Sequence, residues 1–392
     1  MHTVLPASGR GIVSMGREEI YSVTVRHFLA PIVPFLDDPS VSEIMINNPN
    51  EIYIEKNGEL IKTDAKFESE DAFMAAINNV LQYTGKRLTQ EHPLQDSRLP
   101  DGSRVHVILS PLSRGGTCMN IRKFAKIMFD AQHLIELGSW TPEAMEYLRI
   151  CVMAEKNLLV TGGTSSGKTS LLNVLSSFIP GHQRIVVIED SAELELQQDH
   201  VISLEARSPD RYGRGGVSIR ELFRSSLRLR PDRIIIGECR GGEALEIIQA
   251  MTSGHAGSMS TLHADNPLDA LSRLETLCMM SDVKMPLYAL RAQVASAIDV
   301  VVQVTRFPDG RRAVTDIVEV LPLDKEGQYR VQQIFDYVLD ENTDSSIGRL
   351  VWTGAKSIFR DEPRVRVLRS LMKLTREIFA SEKDRAYAKN KK

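Results

Sequence analysis

Leu158-Leu-Val-Thr161-Gly162-Gly163-Thr164-Ser165-Ser166-Gly167-Lys168-Thr169-Ser170 is the stretch whose reading decides the fold. Its first four residues read as a buried strand, and residues 168–178 read as a helix stopped by Pro180-Gly181. Between them, residues 162–169 fit GxxxxGK[ST], in the strand–loop–helix setting that the motif demands. With glycine near ~7% of residues, such a match arises by chance on the order of once per hundred chains of this length. Glycines let successive backbone N–H groups turn inward, and the helix N-terminus adds positive potential, so residues 162–170 are expected to cradle a polyphosphate. Lys168 is expected to reach the terminal phosphates, and the Thr169 hydroxyl to ligate Mg²⁺.

Working outward, apolar runs alternate with helical patterns. Arg184 to Glu189, Asp232 to Glu238, Gly257 to His263 and Ile298 to Val304 read as further strands. Uniformly apolar strands between helices predict a mostly parallel α/β sheet with both faces covered. Arg312 to Leu321 and Tyr329 to Phe335 add an antiparallel ribbon. Two of the parallel strands end in acids, at Glu189-Asp190 and at Gly237-Glu238. Beside a phosphate loop, acids at strand ends suit metal ligation and activation of water. The usual aspartate at the end of such a strand is replaced here by Gly237, with Glu238 following.

Before the phosphate loop, Glu51 to Ile61 alternates around Asn57-Gly58, a hairpin signal, and Phe73, Ala76, Ile77, Val80 and Leu81 follow helical spacing behind Ser69. Residues 104–109 and 118–124 read as two more strands. The expected plan is a lead-in over 1–34, a small α+β domain over 35–125 and a linker over 126–142. A nucleotide-binding domain over 143–345 and an extension over 346–392 follow, the extension fraying as a basic tail from Ser370.

The 392 residues suit two domains, and a net charge of −3 gives no global electrostatic reason to bind nucleic acid. Cys118, Cys151, Cys239 and Cys278 lie far apart, which excludes the usual zinc spacing and reads as four reduced thiols in a cytoplasmic protein. No uncharged apolar run reaches the ~18 residues of a membrane span, so any membrane contact is expected to be peripheral.

Four motifs, one of them in two segments, then carry a resemblance. Arg230-Pro-Asp-Arg-Ile-Ile-Ile-Gly-Glu238-Cys-Arg240 resembles the Walker B segment of the type II/type IV secretion-system (traffic) ATPases. Gly254-His255 to His263 is similar to their His box, and Glu189-Asp190-Ser-Ala-Glu193 to their acidic box. Asp96 to Arg104 and Ile121 to Phe124 are similar to the segments that supply arginines to the nucleotide. The resemblance covers residues 35–340, and its wording is closest to the CpaF-type ATPase of Tad pili. It implies a RecA-like C-terminal domain, a PAS-like N-terminal domain, a homo-oligomer of six, and ATP/ADP with Mg²⁺ held between the two domains. It further implies that Glu238 polarises the attacking water and that Glu189 serves Mg²⁺ or its water shell, with both acids as metal candidates. His255 and His263 would sense the γ-phosphate, and Arg104 and Arg122 would neutralise its developing charge, with Arg98 and Arg240 as further candidates. The implied partner is a platform protein of the inner membrane, at whose cytoplasmic face the ring would dock. Closure of the first domain on ATP, and release after hydrolysis, would supply the stroke.

Ile219, Leu222, Phe223 and Leu227 make one apolar helix face, and Arg220, Arg224 and Arg228 a basic stripe. The stripe is expected either to be solvated or to meet an acidic neighbouring subunit. The loop from Arg207 to Gly216, with three arginines and three glycines, is expected to be mobile. The resemblance implies an ATP-driven motor for pilus assembly, retraction or protein secretion, with a conjugation-type traffic ATPase as the alternative; a nucleotide-gated scaffold and a RecA-like nucleic-acid translocase share these motifs, and the translocase should show a basic, aromatic-interleaved groove, against only 6% aromatic residues here.

Overall fold

The computed structural model describes residues 17–124, 129–207, 209, 213–339 and 348–381. The chain divides into two compact units, Met1–Lys126 and Ile127–Lys392.

In the first unit six strands form one antiparallel sheet: β1 (Val41–Asn48), β2 (Glu51–Lys56), β3 (Glu59–Lys62), β4 (Leu94–Arg98), β5 (Arg104–Ile108) and β6 (Cys118–Arg122). Their order is β3-β2-β1-β6-β5-β4. The turn between β2 and β3 is Asn57-Gly58, both residues at positive φ (51° and 87°), as a tight two-residue hairpin requires. The helix Glu70–Tyr83 starts where Ser69 Oγ accepts the Ala72 amide at 3.1 Å, and it buries Phe73, Ala76, Ile77, Val80 and Leu81 in this unit's core. Opposed residues in antiparallel strands share a face. Arg98 pairs with Arg104, and Arg104 with Arg122, so three arginines line up across β4, β5 and β6 on the face away from buried Val105 and Ile121.

The second unit is built on nine strands: β7 (Leu158–Gly162), β8 (Ile185–Glu189), β9 (Val201–Glu205), β10 (Arg233–Ile236), β11 (Met259–Leu262), β12 (Val300–Arg306), β13 (Arg312–Leu321), β14 (Arg330–Leu339) and β15 (Gly348–Trp352). The order is β15-β14-β13-β12-β7-β11-β10-β8-β9. From β12 to β9 every neighbour is parallel, and β13, β14 and β15 extend the sheet antiparallel. Alternate side chains enter two separate cores. Leu158, Val160, Ile185 and Val187 pack under the helices Pro142–Met153 and Lys168–Ser176; Leu159, Val186, Ile188 and Ile236 pack under Glu243–Thr252, Pro267–Met279 and Leu287–Ala297. Each such buried aliphatic side chain contributes roughly 1.5–3 kcal/mol of transfer free energy. This is the RecA-like α/β architecture.

Several expectations change. Residues 131–136 form a helix capped by Asp130, and Leu134 and Trp140 are buried, so this part of the expected linker is core of the second unit. The end of the chain is also packed rather than frayed up to residue 381. Glu319, fully buried, accepts from Tyr147 Oη (2.7 Å), Ser357 Oγ (2.5 Å) and Ile358 N (2.8 Å), while Met372, Ile378 and Phe379 enter the core. The remainder of the expected tail, 382–392, lies outside the described residues. The apolar face of the helix Ile219–Ser226 excludes Leu227, which is 38% exposed: a 3₁₀ turn over Leu227–Leu229 rotates it away. Two members of the basic stripe pair within this chain, Arg220 half-buried and Arg224 exposed, as a solvated face would be. Arg220 and Arg224 converge on Glu246 of the neighbouring helix at 2.6 and 2.8 Å, and Arg220 also meets Asp282 at 2.9 Å; Arg228 is exposed. In the expected mobile loop Arg207 pairs with Val217 across its base, and residues 208 and 210–212 lie outside the described ones.

Candidate active site

β7 delivers the chain to Gly162, where a side chain has no room: an added Cβ would collide with Val304 O of β12 and lie 2.6 Å from Ser166 Oγ. Ser165 (φ 56°) and Gly167 (φ 98°) take left-handed backbone, which closes the loop over the start of the helix Lys168–Ser176. Ser166 Oγ is buried with no hydrogen-bond partner, an orphan group aimed into the loop. Gly163 and Thr164 are exposed, and Thr169 and Ser170 are half-buried in the first helical turn.

Lys168 is buried, and its Nζ donates to Gly162 O (3.1 Å) and Gly163 O (2.8 Å) and lies 3.3 Å from His263 Nδ1. A lysine has only donors, so Nδ1 accepts and the ring proton sits on Nε2, which lies 2.9 Å from Glu238 Oε1. Burial and the nearby Lys168 hold the His263 pKa below its usual value, against the opposing pull of Glu238. The strand order β7-β11-β10 makes this chain possible, because it sets three carboxyl ends side by side. Gln303 of β12 steadies the histidine loop by donating to Ala264 O at 3.1 Å.

Glu238 is half-buried, and Arg240 grips its Oε2 through Nε (2.8 Å) and Nη2 (2.5 Å) while reaching Asp190 at 3.3 Å. Glu189 is buried beneath Gly237. Its Oε1 accepts the amides of Glu193 (3.0 Å) and Leu194 (3.1 Å). Burial nevertheless outweighs those amides and pushes its pKa up to about 7. A Cβ at position 237 would stand 2.9 Å from Glu189 Cγ and 3.1 Å from Oε1. Steric exclusion by Glu189 therefore accounts for the glycine where an aspartate is usual.

Not every expected residue joins this group. His255 precedes β11, whereas His263 follows it; since β11 runs parallel to β7, His255 sits at the amino edge of the sheet, opposite the phosphate loop. The geometry does not bring it to Lys168 within this chain. Arg104 and Arg122 belong to the first unit, aligned with Arg98 as above. Sequence reading overlooked Arg312, whose Nε donates to Ser165 O of the phosphate loop at 2.8 Å, and Glu243, whose Oε1 accepts the amides of Arg240 and Gly241, both at 2.8 Å. No local signal marks Arg312; it reaches the loop through sheet topology.

The arrangement fits a polyphosphate: a glycine-rich turn with no room for a side chain at Gly162, a buried Ser166 hydroxyl and a lysine folded back on its own loop carbonyls. Among the described residues no cluster of three or more His, Cys, Asp or Glu could hold a metal alone. The donors expected here, Thr169, Glu189 and Glu238, are all oxygens, which suits Mg²⁺, an ion that keeps water and phosphate oxygens as most of its ligands.

The family model described as "Type II/IV secretion system protein" matches residues 26–341. The chain belongs to this family. Among type II/IV secretion system relatives, the protein PtlH of Bordetella pertussis is 35% identical over 321 residues, covering 75% of this chain and 94% of its own. The VirB11 protein of Bartonella quintana is 31% identical over 325 residues, covering 74% and 91%. The solved Legionella pneumophila ATPase DotB is similar in fold, at 19% identity and a TM-score of 0.54 over 77% of this chain and 82% of that one. A special closeness to Tad-pilus members is not among these findings. No helix among the described residues is long and apolar enough to cross a membrane.

Proposed function

We propose that the chain is an Mg²⁺-dependent ATP hydrolase driving a type IV secretion or pilus-assembly machine. The hydrogen-bonded line Lys168–His263–Glu238, joining the phosphate loop to an acid at the end of β10, carries this reading. Lys168 exchanges its two loop carbonyls for phosphate oxygens. Thr169 and the acids Glu189 and Glu238 would hold Mg²⁺ and its waters, and the ion would stabilise charge on the phosphates. Glu238 orients the attacking water, and His263 reports on occupancy because its ring lies between the lysine and that acid. His255 is left out of this set.

The row of Arg98, Arg104 and Arg122 supports the second half of the reading, in which first-unit guanidinium groups neutralise the γ-phosphate and turn hydrolysis into movement. A ring of six docked by a platform protein at the cytoplasmic face of the inner membrane follows from the family resemblance. Both curated relatives named above carry type IV secretion names, which favours export over the Tad pilus as the setting. Phosphate release by the purified chain in Mg²⁺-ATP tests the first half; no turnover with or without a membrane partner would defeat it. Arg122→Ala should lower turnover by about a thousandfold if it acts as an arginine finger. Unchanged turnover would remove the arginine clamp.

A further inference from the structure

Arg312, like Lys168, is fastened to the phosphate loop by a hydrogen bond. Its Nε donates to Ser165 O at 2.8 Å, and its Cδ would lie 3.4 Å from a Cβ placed on Gly167. The residue is itself anchored from behind. Ser139 Oγ donates to Arg312 O at 2.9 Å, and Val314 N donates to Ser139 O at 2.8 Å, which fixes the start of β13 beside the loop. Arg306, at the end of β12, stands directly across from Arg312 in the ladder.

The position relative to the catalytic groups gives this contact its meaning. Lys168, His263, Glu238 and Glu189 all lie toward β11, β10 and β8, on one side of β7. The terminal phosphate must point that way, because the acids that act on it are there. A nucleotide threaded through the loop therefore sends its other end to the opposite side of β7. That side is formed by β12 and by the tight turn Phe307-Pro308-Asp309-Gly310-Arg311, closed by Phe307 N to Arg311 O at 2.8 Å, out of which Arg312 emerges. Arg312 is exposed at that rim. A guanidinium plane stacks well on a nucleobase, and a backbone carbonyl is an acceptor it can exchange for such a ligand.

We propose that Arg312 is the residue that receives the nucleoside end of the substrate, moving from Ser165 O to stack on the base. This rests on the ATP-hydrolase reading and adds to it a residue that distinguishes a nucleotide from bare polyphosphate. Binding of Mg²⁺-ATP and of Mg²⁺-tripolyphosphate to the full chain, compared by calorimetry, separates the possibilities. Arg312→Ala should weaken ATP about tenfold while leaving tripolyphosphate within about twofold. Arg312→Lys, which keeps charge but has no planar group, should show the same selective loss and carries the test if the alanine variant melts early. Equal loss of both ligands would mean that Arg312 only shapes the loop or contacts phosphate, and would overturn the assignment. So would unchanged affinity for both. A wild-type chain that binds neither ligand would instead defeat the hydrolase reading, and this one with it.

Discussion

Two buried cations in the second unit face opposite edges of one sheet. Lys168, at the carboxyl edge, rests on two loop carbonyls and a histidine. Arg233, at the amino edge, is fully buried and donates to Gln183 Oε1 (2.8 Å), Gly257 O (3.2 Å) and Val152 O (2.9 Å). Burial pushes its pKa down to about 10, so it stays charged at neutral pH. Its guanidinium fills the space where Gly257 would carry a side chain. Both are satisfied mainly by neutral oxygens. The difference lies in what those oxygens belong to: a glycine-rich loop beside an orphan hydroxyl for Lys168, and helix ends and strand entries for Arg233. Depth of burial marks neither residue as functional. On the proposed function, Lys168 differs in that its acceptors can be exchanged for phosphate oxygens.

That contrast can be broken by substitution. Lys168→Ala should abolish turnover by about a thousandfold, on the scale of losing a charge that stabilises the transferring phosphate. Its melting temperature should stay within a few degrees of wild type. Arg233→Ala should do the reverse, destabilising the second unit by about 3 kcal/mol through orphaned carbonyls and an unfilled cavity. If Arg233→Ala melts like wild type in thermal unfolding, Arg233 does not stabilise the second unit. Glu238→Gln sharpens the carboxyl-edge half: turnover should fall about a hundredfold while nucleotide affinity is kept, as expected for loss of a general base. Comparable loss of affinity would make Glu238 a binding group instead.

The smallest effect concerns Glu189. Its folded pKa, about 7, exceeds the ordinary value of 4.5, so the folded state keeps a proton that the unfolded chain releases. The stability this contributes is complete below about pH 4.5 and is lost as pH rises through 7. Glu189→Gln should remove that loss, so its melting temperature should gain on wild type between pH 5 and pH 8, by the equivalent of on the order of 1–2 kcal/mol. Parallel pH profiles for the two proteins would show that Glu189 titrates normally.

The parallel core was legible because β7, β8, β10 and β12 are buried and mostly apolar; β11, Met-Ser-Thr-Leu, is buried but only half apolar. Among the strands missed, two lack such a buried apolar run. β9 is a half-exposed edge, Val201–Glu205, and β4 is Leu-Gln-Asp-Ser-Arg, nearly all polar. The phosphate loop was legible because its chemistry is local. The line from Lys168 to His263 was not, since 95 residues separate them and only the order β7-β11-β10 joins them. The same order removed His255, which shares a motif with His263 in sequence but not an edge in space. The packed end of the chain escaped notice because its anchors, Glu319 and Tyr147, lie far upstream.

The contact between Glu189 and the bare α-carbon of residue 237 has a wider bearing. A side chain at 237 and the Glu189 side chain would compete for one volume, so the residues at the two positions depend on each other. Gly237→Asp would force the buried Glu189 side chain to shift. A search keyed to an aspartate at the end of this strand would pass over this chain, whose carboxylate stands one position later, at Glu238.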